Sequence, residues 1–580
     1  MQSNGVRYEE VHTEVLIIGA GAAGIRAAIE LTDAGVATLV LGKRRHGDAH
    51  TIWASGGINA SLQTRDPEDS WEIHAADTLR EGHYINDPRA VELVARDAPE
   101  RVRELADWGC GFSRIEEGDL DQRYFGAQSY RRTAFAGDKT GEAILTTLVE
   151  RAKGLEVPYR ENVYITRVLK DEGRAVGAIG YDMDNGRYIV FRAPAVVLAA
   201  GGMTALYTRN SSRSDENTGD AAALAYEAGA RLRDMEFVQF HPTGMVFPES
   251  MSGKLVTEAV RGEGGRLLNS EGERYMERYS PDHMELDARD VVARAGYSEI
   301  QAGRGTENGA VLLDISHRSE AFIKERLPRM YEQFQEIGVD ITREPMEVAP
   351  TAHYAMGGIE VDFESGATSV PGLFAIGEAT AGVHGANRLG GNSLAETVVL
   401  GRISGRYLAE NLKDAPRPAE ARSAIEDHLQ ALDSLADSGE VEPQTLIDEV
   451  RAAMWDHAGI ARTEQGLREG LERLDRVRRR VGSVATDGPG SQSFELAANL
   501  RFMLVAAETI LRGALHREES RGAHYREDFP EKDPEWVRNI VYAKGASGEM
   551  VLTDEPVGEI PQEIQAALDE EHSLQYTHLE

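Results

Sequence analysis

The chain has 580 residues, enough for several domains, and its 41% hydrophobic content is that of an ordinary globular protein. It contains 63 Lys and Arg against 97 Asp and Glu, and the resulting formal charge of −34 argues against nucleic-acid binding. The single cysteine, Cys110, excludes an internal disulfide and any iron–sulfur cluster or zinc site built from cysteines of this chain alone. We expect no metal site, no transmembrane span, no secretory signal and a cytoplasmic location.

The first pattern along the chain is a strand at 14–18, a glycine-rich turn, a helix at 25–32 and a second strand at 36–41. In a Rossmann fingerprint, the first glycine permits the turn, the second admits a pyrophosphate and the third lets the helix pack on the strand. These positions are Gly19, Gly21 and Gly24, with Ala23 beside the third. The acid expected at the end of the second strand to hold a ribose is replaced by Gly42 and Lys43, which favours FAD over NAD.

Two later strands also end in glycine, at 195–202 and 373–378, which suggests one discontinuous nucleotide-binding domain. The predicted fold class is α/β: a Rossmann-like FAD-binding domain with an inserted α+β capping domain, then a helical domain and a short C-terminal tail domain. The predicted bounds are 1–244 and 351–415 for the FAD-binding domain, 245–350 for the capping domain, 420–534 for the helical domain and 535–580 for the C-terminal segment. Residues 451–482 carry apolar residues at helical spacing, whereas the acidic tail is weakly patterned.

Ordered sequence blocks across about 500 residues resemble the flavoprotein subunits of succinate dehydrogenase and fumarate reductase, to which L-aspartate oxidase is a close relative. Besides the glycine loop, the blocks are Ala49-His50-Thr51, Phe240-His241-Pro242-Thr243-Gly244, residues 257–265, residues 284–290, residues 353–358, residues 385–394 and Ser520-Arg521-Gly522-Ala523-His524.

The resemblance implies FAD as the cofactor, bonded covalently to His50; the alternative is an unmodified histidine that contacts the ring. A neutral imidazole is a competent nucleophile near pH 7. The residues expected to contact FAD are Gly19, Gly21, Ala23, Gly24, Lys43, His50, Thr51, Gly56, Gly57, Gly202, Asp220, Glu378, Ser393 and Leu394.

The resemblance also implies a dicarboxylate site. His241, Thr257, His353 and Arg388 are expected to hold the two carboxylates of succinate or fumarate, since arginine offers a planar, permanently charged fork. Arg289 is implied as the proton donor, with Glu258 and Arg261 relaying protons from solvent. The structural alternatives are a buried ion pair for Arg388, histidines that serve only the core, and a plain salt bridge between Glu258 and Arg261, which share a helix face.

Three positions depart from related sequences. Val260 stands where the family often has cysteine, so thiol reagents are predicted not to block the site; inactivation prevented by substrate would contradict this. Ser55 stands where the family usually has Gln or Glu beside the flavin. L-aspartate oxidases usually carry a glutamate where this chain has Phe125, and they usually lack the His-Thr pair, so Phe125 predicts a substrate without an amino group.

The electrons must leave the flavin, and a chain with one cysteine cannot hold the relay. The resemblance therefore implies an iron–sulfur partner subunit, together with a membrane-anchor or quinone-reactive subunit, and places this chain peripherally on the inner face of the membrane. The alternatives are an L-aspartate oxidase, a soluble stand-alone fumarate reductase and a protein with a binding role only. The direction of the reaction is not encoded visibly.

Overall fold

The computed structural model describes residues 2–3, whose backbone alone is considered, 6–213, 215–412, 421–435 and 439–570. Its strands are β1 (Gln2–Ser3), β2 (Val6–His12), β3 (Val15–Ile18), β4 (Thr38–Leu41), β5 (Ile58–Asn59), β6 (Gln122–Arg123), β7 (Thr133–Ala134), β8 (Tyr159–Arg160), β9 (Val163–Asp171), β10 (Arg174–Asp182), β11 (Tyr188–Arg192), β12 (Ala195–Leu198), β13 (Leu232–Arg233), β14 (Val238–Met245), β15 (Arg266–Leu268), β16 (Val311–Asp314), β17 (Met346–Ala355), β18 (Gly358–Ile359), β19 (Leu373–Ala375), β20 (Arg538–Lys544) and β21 (Met550–Pro556).

Its helices are α1 (Ala22–Asp33), α2 (Trp71–Glu81), α3 (Pro88–Asp107), α4 (Thr140–Gly154), α5 (Asp220–Ala228), α6 (Ala259–Gly262), α7 (Met276–Tyr279), α8 (Arg289–Glu299), α9 (Glu320–Arg326), α10 (Pro328–Gln335), α11 (Asn392–Asn411), α12 (Arg422–Leu435), α13 (Pro443–His457), α14 (Glu464–Arg478), α15 (Gln492–His516) and α16 (Gln562–Asp569). None of the helices in these described ranges is long and apolar enough to cross a bilayer.

The FAD-binding domain is built on a parallel sheet in the order β19-β12-β3-β4-β8. Strand β3 is wholly buried, as its run Val15-Leu16-Ile17-Ile18 requires of a strand covered on both faces. The glycine turn joins its carboxyl end to α1, so the loop that contacts a ligand lies at the carboxyl edge of the sheet. The predicted α/β class is confirmed.

Helix α11 packs against α1 at very short range because two glycines face it. An added Cβ on Gly401 would lie 2.7 Å from the carbonyl oxygen of Ala23, and one on Gly405 would lie 2.8 Å from that of Ala27. The four-residue spacing puts both glycines on one face of α11. This close approach ties α11, whose first turn reaches the functional site, to the helix of the glycine loop.

The capping domain contains an antiparallel sheet in the order β14-β17-β16-β15, with α6 to α10 connecting its strands. The sheet begins at Val238 and ends at Ala355, so it extends on both sides of the segment 245–350. Strands β14 and β17 lead into the capping domain and out of it, and both carry motif residues.

A second sheet, β1-β2-β11-β10-β9, belongs to the same FAD-binding part of the chain as the parallel sheet, and α12 to α15 form the helical part. The continuous helical pattern over 451–482 is interrupted between α13 and α14. The hydroxyl of Thr463 accepts a hydrogen bond from the amide of Gly466 and so begins α14. The predicted boundaries at 415 and 420 lie outside the described residues.

The weakly patterned C-terminal segment forms a hairpin of β20 and β21 followed by α16. Strand β20 pairs with β13 of the preceding part of the chain, opposite Leu232 and Arg233. Because β21 is half exposed, its residues show little apolar alternation, which explains why this segment lacks a strong strand pattern. Residues 571–580 lie outside the described part of the chain.

Candidate active site

One continuous cavity follows the carboxyl edge of the parallel sheet and ends beneath the capping domain. Most residues singled out from the sequence line it: Gly19, Gly21, Ala23, Lys43, His50, Thr51, Gly56, Gly57, Phe125, Asp220, His241, Thr257, Glu258, Arg289, His353, Glu378, Arg388, Ser393 and Leu394. Gly24, Gly202 and Arg261 lie behind that lining and contact it.

The glycine loop fits a dinucleotide. Gly19 has φ +118°, and a Cβ there would lie 2.1 Å from the carbonyl oxygen of Ala199. Gly24 packs against the same turn, since its added Cβ would meet the Gly19 carbonyl oxygen at 2.1 Å. Helix α1 begins at Ala22 without a side-chain cap from its own N-cap residue, Gly21. Its N-terminus therefore suits a phosphate group.

Thr51 joins the glycine loop to the segment that carries His50. Its Oγ1 accepts a hydrogen bond from the amide of Ala22, at 3.1 Å, across 29 residues of sequence. His50 itself begins a single 3-10 turn, His50–Trp53, on the cavity wall. The loop and the histidine are thus held in one fixed relation.

His50 is paired with an acid that the sequence motifs did not reveal. Its Nδ1 lies 3.5 Å from Oε2 of Glu216. Burial disfavours the charged imidazole, but the Glu216 carboxylate outweighs this effect and the pKa of His50 is raised. Burial would raise the pKa of Glu216, yet His50 and Arg213 lower it to about 2. Glu216 and His50 thus attract each other as an ion pair whose atoms are too far apart for a hydrogen bond.

Lys43 stands where a ribose-binding acid was expected, and it is itself neutralised. Its Nζ lies 2.8 Å from Oδ2 of Asp220, the first residue of α5, and 4.6 Å from the ring centroid of Tyr164. The Tyr164 hydroxyl donates to Asn499 on α15 at 2.6 Å. This end of the cavity is therefore polar but nearly balanced in charge, which suits the adenosine half of FAD better than an extra phosphate.

Glu378 follows the late strand β19 and closes the cavity from the other side. Its Oε1 accepts a hydrogen bond from the amide of Ala355 at 3.2 Å, and Gly202 leaves it room, since an added Cβ would come within 2.5 Å of that oxygen. Burial raises the pKa of Glu378 to about 7, although His50 and the Ala355 amide lower it.

A buried histidine, His241, and a half-buried one, His353, face the end of the cavity beneath the capping domain. The Nδ1 of His241 accepts a hydrogen bond from the amide of Thr243 at 3.2 Å, which places the proton of the neutral ring on Nε2. That Nε2 has no partner among the described residues. The Nδ1 of His353 lies 2.9 Å from the hydroxyl of Ser211. Burial and nearby charges hold the pKa of both histidines well below the usual value, so both rings are neutral.

Arg388 is buried, with 2% of its surface exposed. Its NH1 donates to the hydroxyl of Ser393 at 3.2 Å, and its Nε has no partner among the described residues. Burial and the guanidinium of Arg289 lower the pKa of Arg388 to about 9, so it is charged at neutral pH. A guanidinium with no carboxylate partner among the described residues and an unpaired imidazole N–H thus line one cavity, as an anion-binding site requires.

The capping domain contributes a fixed arginine and its acid. Nε and NH2 of Arg289 donate to Oε2 of Glu258 at 2.8 and 2.6 Å, and NH1 donates to Oε1 of Gln239 at 3.1 Å. Arg261 NH2 lies 3.7 Å from the same Glu258 oxygen. Burial would raise the pKa of Glu258, but the guanidinium groups of Arg289 and Arg261 lower it to about 2. Burial lowers the pKa of Arg261.

Phe125 and Gly126 belong to a loop of the FAD-binding domain that reaches this cluster. The amide of Gly126 donates to Oε1 of Glu258 at 2.9 Å. Phe125 is buried and lies directly against Gly56, where an added Cβ would come within 2.5 Å of the ring. An aromatic ring offers no partner to an ammonium group of the kind a glutamate would give.

Cys110 does not line the cavity. It is buried, and burial raises the pKa of its thiol to about 11, so it is protonated and unreactive near neutral pH. Val260 is also fully buried. In the described parts of the chain, no group of His, Cys, Asp and Glu residues could hold a metal ion.

Sequence reasoning missed several residues that shape the site. Gln239 stands one residue before a recognised motif, and that adjacency was the only signal for it. Gly126 gave the same kind of signal, since it follows Phe125, whereas Glu216 and Ser211 gave none, because each meets its partner through a contact between distant parts of the chain.

Comparison with known proteins gives two family matches that together span most of the chain. Residues 14–394 match an FAD binding domain, and residues 447–566 match the C-terminal part of fumarate reductase flavoproteins. A fumarate reductase (CoM/CoB) subunit from Methanothermobacter marburgensis is 48% identical over 91% of this chain and 96% of its own length. A succinate dehydrogenase flavoprotein subunit from Rickettsia bellii is 37% identical over 94% and 95%. The structure of Mycobacterium smegmatis Sdh1 in complex with UQ1 superposes with a TM-score of 0.87, at 41% identity over 96% of each chain.

Proposed function

The chain belongs to the family of succinate dehydrogenase and fumarate reductase flavoprotein subunits, which are FAD-dependent oxidoreductases, and we propose that it interconverts succinate and fumarate. The observation that carries this proposal is the pair of buried, unpartnered donors, Nε2 of His241 and Nε of Arg388, in one cavity. The net charge of −34 makes the protein as a whole repel a dianion. Local hydrogen-bond donors and positive charge are therefore needed to bind one.

In this proposal each carboxylate of the substrate is held by groups already in place. Arg388 provides charge, and His241, His353 and Thr257 provide neutral hydrogen-bonding groups around it. Neutral histidines suit this role because they hold position through Thr243 and Ser211 and still offer their other ring nitrogen. Phe125 closes the cavity with an apolar surface, which favours a substrate that has no amino group.

FAD, held by the glycine loop and the segment that carries His50, would supply two-electron chemistry, as hydride exchange, at one carbon of the substrate. Arg289 is proposed to deliver or remove the proton at the other carbon. Its bonds to Glu258 and Gln239 fix the guanidinium in space, and its remaining N–H hydrogens are free for the substrate. Glu258 is ionised at neutral pH and stands between Arg289 and Arg261, so it is placed to pass a proton from one to the other.

The deciding experiment measures oxidation of succinate and of L-aspartate by the purified, flavin-loaded protein with an artificial electron-accepting dye. We expect turnover of succinate and none of L-aspartate. Turnover of L-aspartate alone would contradict the proposal and make the protein an L-aspartate oxidase. A fumarate assay by itself does not decide, because aspartate oxidases can also reduce fumarate.

We further propose that His50 carries FAD through a covalent bond. The support is the place of His50 on the cavity wall and the ion-pair contact of its Nδ1 with the Glu216 carboxylate. After acid precipitation and denaturing electrophoresis, the protein band should fluoresce as a flavin, and the His50→Ala variant should not. A fluorescent variant band would show that the flavin is attached elsewhere.

The electron partner is proposed to be a separate iron–sulfur subunit, with a membrane-anchor or quinone-reactive subunit that places the complex on the cytoplasmic face of the membrane. Two relatives support different final electron carriers, since one is named for CoM/CoB and the solved structure contains UQ1. Purification of the native complex would identify the subunits. Recovery of the chain as an active protein without partners would favour a stand-alone fumarate reductase.

A further inference from the structure

Arg388 lacks a direct counter-ion, but its guanidinium lies on an aromatic ring. Its Cζ is 4.3 Å from the ring centroid of Tyr354, and no carboxylate of the described residues forms an ion pair with it. A guanidinium over an aromatic face is attracted by the negative face of the ring, and burial strengthens this attraction. The ring thus stabilises the cation from its flat side without using its N–H groups.

The hydroxyl of that tyrosine is bound to a buried carboxylate. Tyr354 donates to Oε2 of Glu396 at 2.7 Å, and both side chains are buried. The Nε2 of His384 lies 3.0 Å from the same oxygen, and the hydroxyl of Thr380 lies 3.4 Å from Oε1. Glu396 therefore has partners for both oxygens, yet it does not line the cavity.

Helix α11 sets both contacts of Arg388. Ser393 and Glu396 are three residues apart near its N-terminus and share a face. Ser393 accepts from the edge of the guanidinium, and Glu396 binds the ring that lies under it.

A hydrogen bond from a phenol to a carboxylate moves electron density toward the ring, because charge-assisted bonds polarise their donor. A carboxylate paired directly with Arg388 would instead occupy the N–H groups that a substrate needs. We propose that Glu396 acts as a counter-charge to Arg388 through the ring of Tyr354, and so keeps the N–H groups of Arg388 free for a substrate carboxylate. Glu396 is then a positioning residue, and its role rests on the dicarboxylate site proposed above.

The test measures the dissociation constant of malonate, a dicarboxylate without an oxidisable CH–CH bond, from its effect on the flavin absorbance of the loaded protein. Glu396→Gln removes the charge and keeps the size, and Tyr354→Phe keeps the ring and removes the hydroxyl. We expect each variant to bind malonate about tenfold more weakly, which is about 1.4 kcal/mol. The kcat with saturating succinate should change by less than about threefold, because the bound state is weakened and not the reacting geometry.

The double variant separates this role from general damage to the fold. Since both changes remove the same charge-assisted hydrogen bond, the double variant should also lose about tenfold and not about a hundredfold. Glu410→Gln is the matched control, the same change at an exposed position of α11, and it should stay within about twofold of wild type.

The role of Glu396 would be overturned if the losses of malonate affinity in the two single variants multiplied in the double variant. It would also be overturned if the single variants bound malonate as tightly as wild type. If Glu396→Gln fails to retain flavin, Tyr354→Phe decides alone, and unchanged binding overturns the proposal. Failure of the wild-type protein to bind malonate would instead overturn the dicarboxylate site itself, and the role of Glu396 with it.

Discussion

The cavity uses its arginines in different ways, and their hydrogen-bond partners show the difference. Arg289 is saturated on one side by Glu258 and Gln239, so it is held rigidly. Arg388 has only Ser393 at its edge and remains free to bind an anion. A rigid arginine suits transfer of a proton to a fixed point, whereas an unpaired one suits capture of a carboxylate.

Arg289→Lys tests the first of these roles. A lysine keeps the positive charge but cannot bond Glu258 and Gln239 at once, so the donor loses its fixed position. We expect kcat for succinate to fall by about 100-fold or more, with a much smaller change in malonate affinity. Steady-state kinetics and malonate titration of the loaded protein would check this.

The control for that variant is Arg266→Lys, which makes the same change at an exposed position of the capping domain. It should behave as wild type. Equal losses of kcat and of malonate affinity in Arg289→Lys would mean that Arg289 binds the substrate and does not transfer the proton.

At the scale of elements, α11 connects the glycine loop to Arg388, the arginine proposed to bind substrate. Its first two turns carry Ser393 and Glu396, and its later glycines bring it against α1, the helix that follows the glycine loop. A shift of α11 therefore moves both ends of the site, although neither Gly401 nor Gly405 lines the cavity.

Gly405→Ala tests this coupling. The added methyl would lie 2.8 Å from the Ala27 carbonyl oxygen and 3.1 Å from its Cα, so backbone must move. We expect a loss of about 1–3 kcal/mol of stability and weaker retention of FAD. Thermal unfolding and the flavin content after gel filtration would measure the two effects.

Gly154→Ala is the matched control, because it adds a methyl in open space at the end of α4. Alanine favours helix over glycine, so this variant should be as stable as wild type or more so. A Gly405→Ala protein as stable as Gly154→Ala would show that α11 has room to adjust.

At the scale of the whole molecule, the site exists only where the capping domain meets the FAD-binding domain. The capping domain supplies Glu258 and Arg289, and the other domain supplies Phe125 and Arg388. Several hydrogen bonds cross the junction close by; among them, the amide of Gly126 donates to Glu258, and the amide of Met330 donates to Asp138. Asp138 thereby provides α10 with the N-terminal partner that its own sequence lacks.

The stability of the capping domain should depend on pH through Glu299. This buried carboxylate accepts from Arg304, Arg278 and Tyr279, and Arg304 in first place holds its pKa at about 2. Because the folded pKa is below the unfolded one, its stabilisation is complete above about pH 4.5 and is lost as pH falls toward 2. Glu299→Gln should lower the Tm by several degrees at pH 7, and the difference should shrink below about pH 4.5.

Calorimetry across that pH range would check the prediction. Glu273→Gln is the control, since Glu273 also pairs with Arg278 but is exposed and should change the Tm little at any pH. A difference between Glu299→Gln and wild type that persists at low pH would mean that shape, not charge, is what Glu299 contributes.

The amino-acid sequence was sufficient to establish the family, the α/β class and the FAD cofactor. Such features appear in short stretches of sequence because the steric requirements behind them are local. Gly19, Gly21 and Gly24 stand within six residues because a tight turn, a phosphate and a close helix each exclude a side chain. Equally short motifs were sufficient to single out His241 and Arg388 as candidate site residues. The roles of these two residues in binding and catalysis stay predictions, and so do the domain bounds.

The neighbours of these residues, by contrast, depend on how the whole chain packs. Glu216 against His50, Ser211 against His353 and Glu396 behind Tyr354 are contacts between distant parts of the chain. Packing creates them, and no local periodicity shows which buried side chain will face which. The same reason applies to the C-terminal hairpin, where β20 pairs with β21 on one side and, on the other, with β13, a strand more than 300 residues earlier.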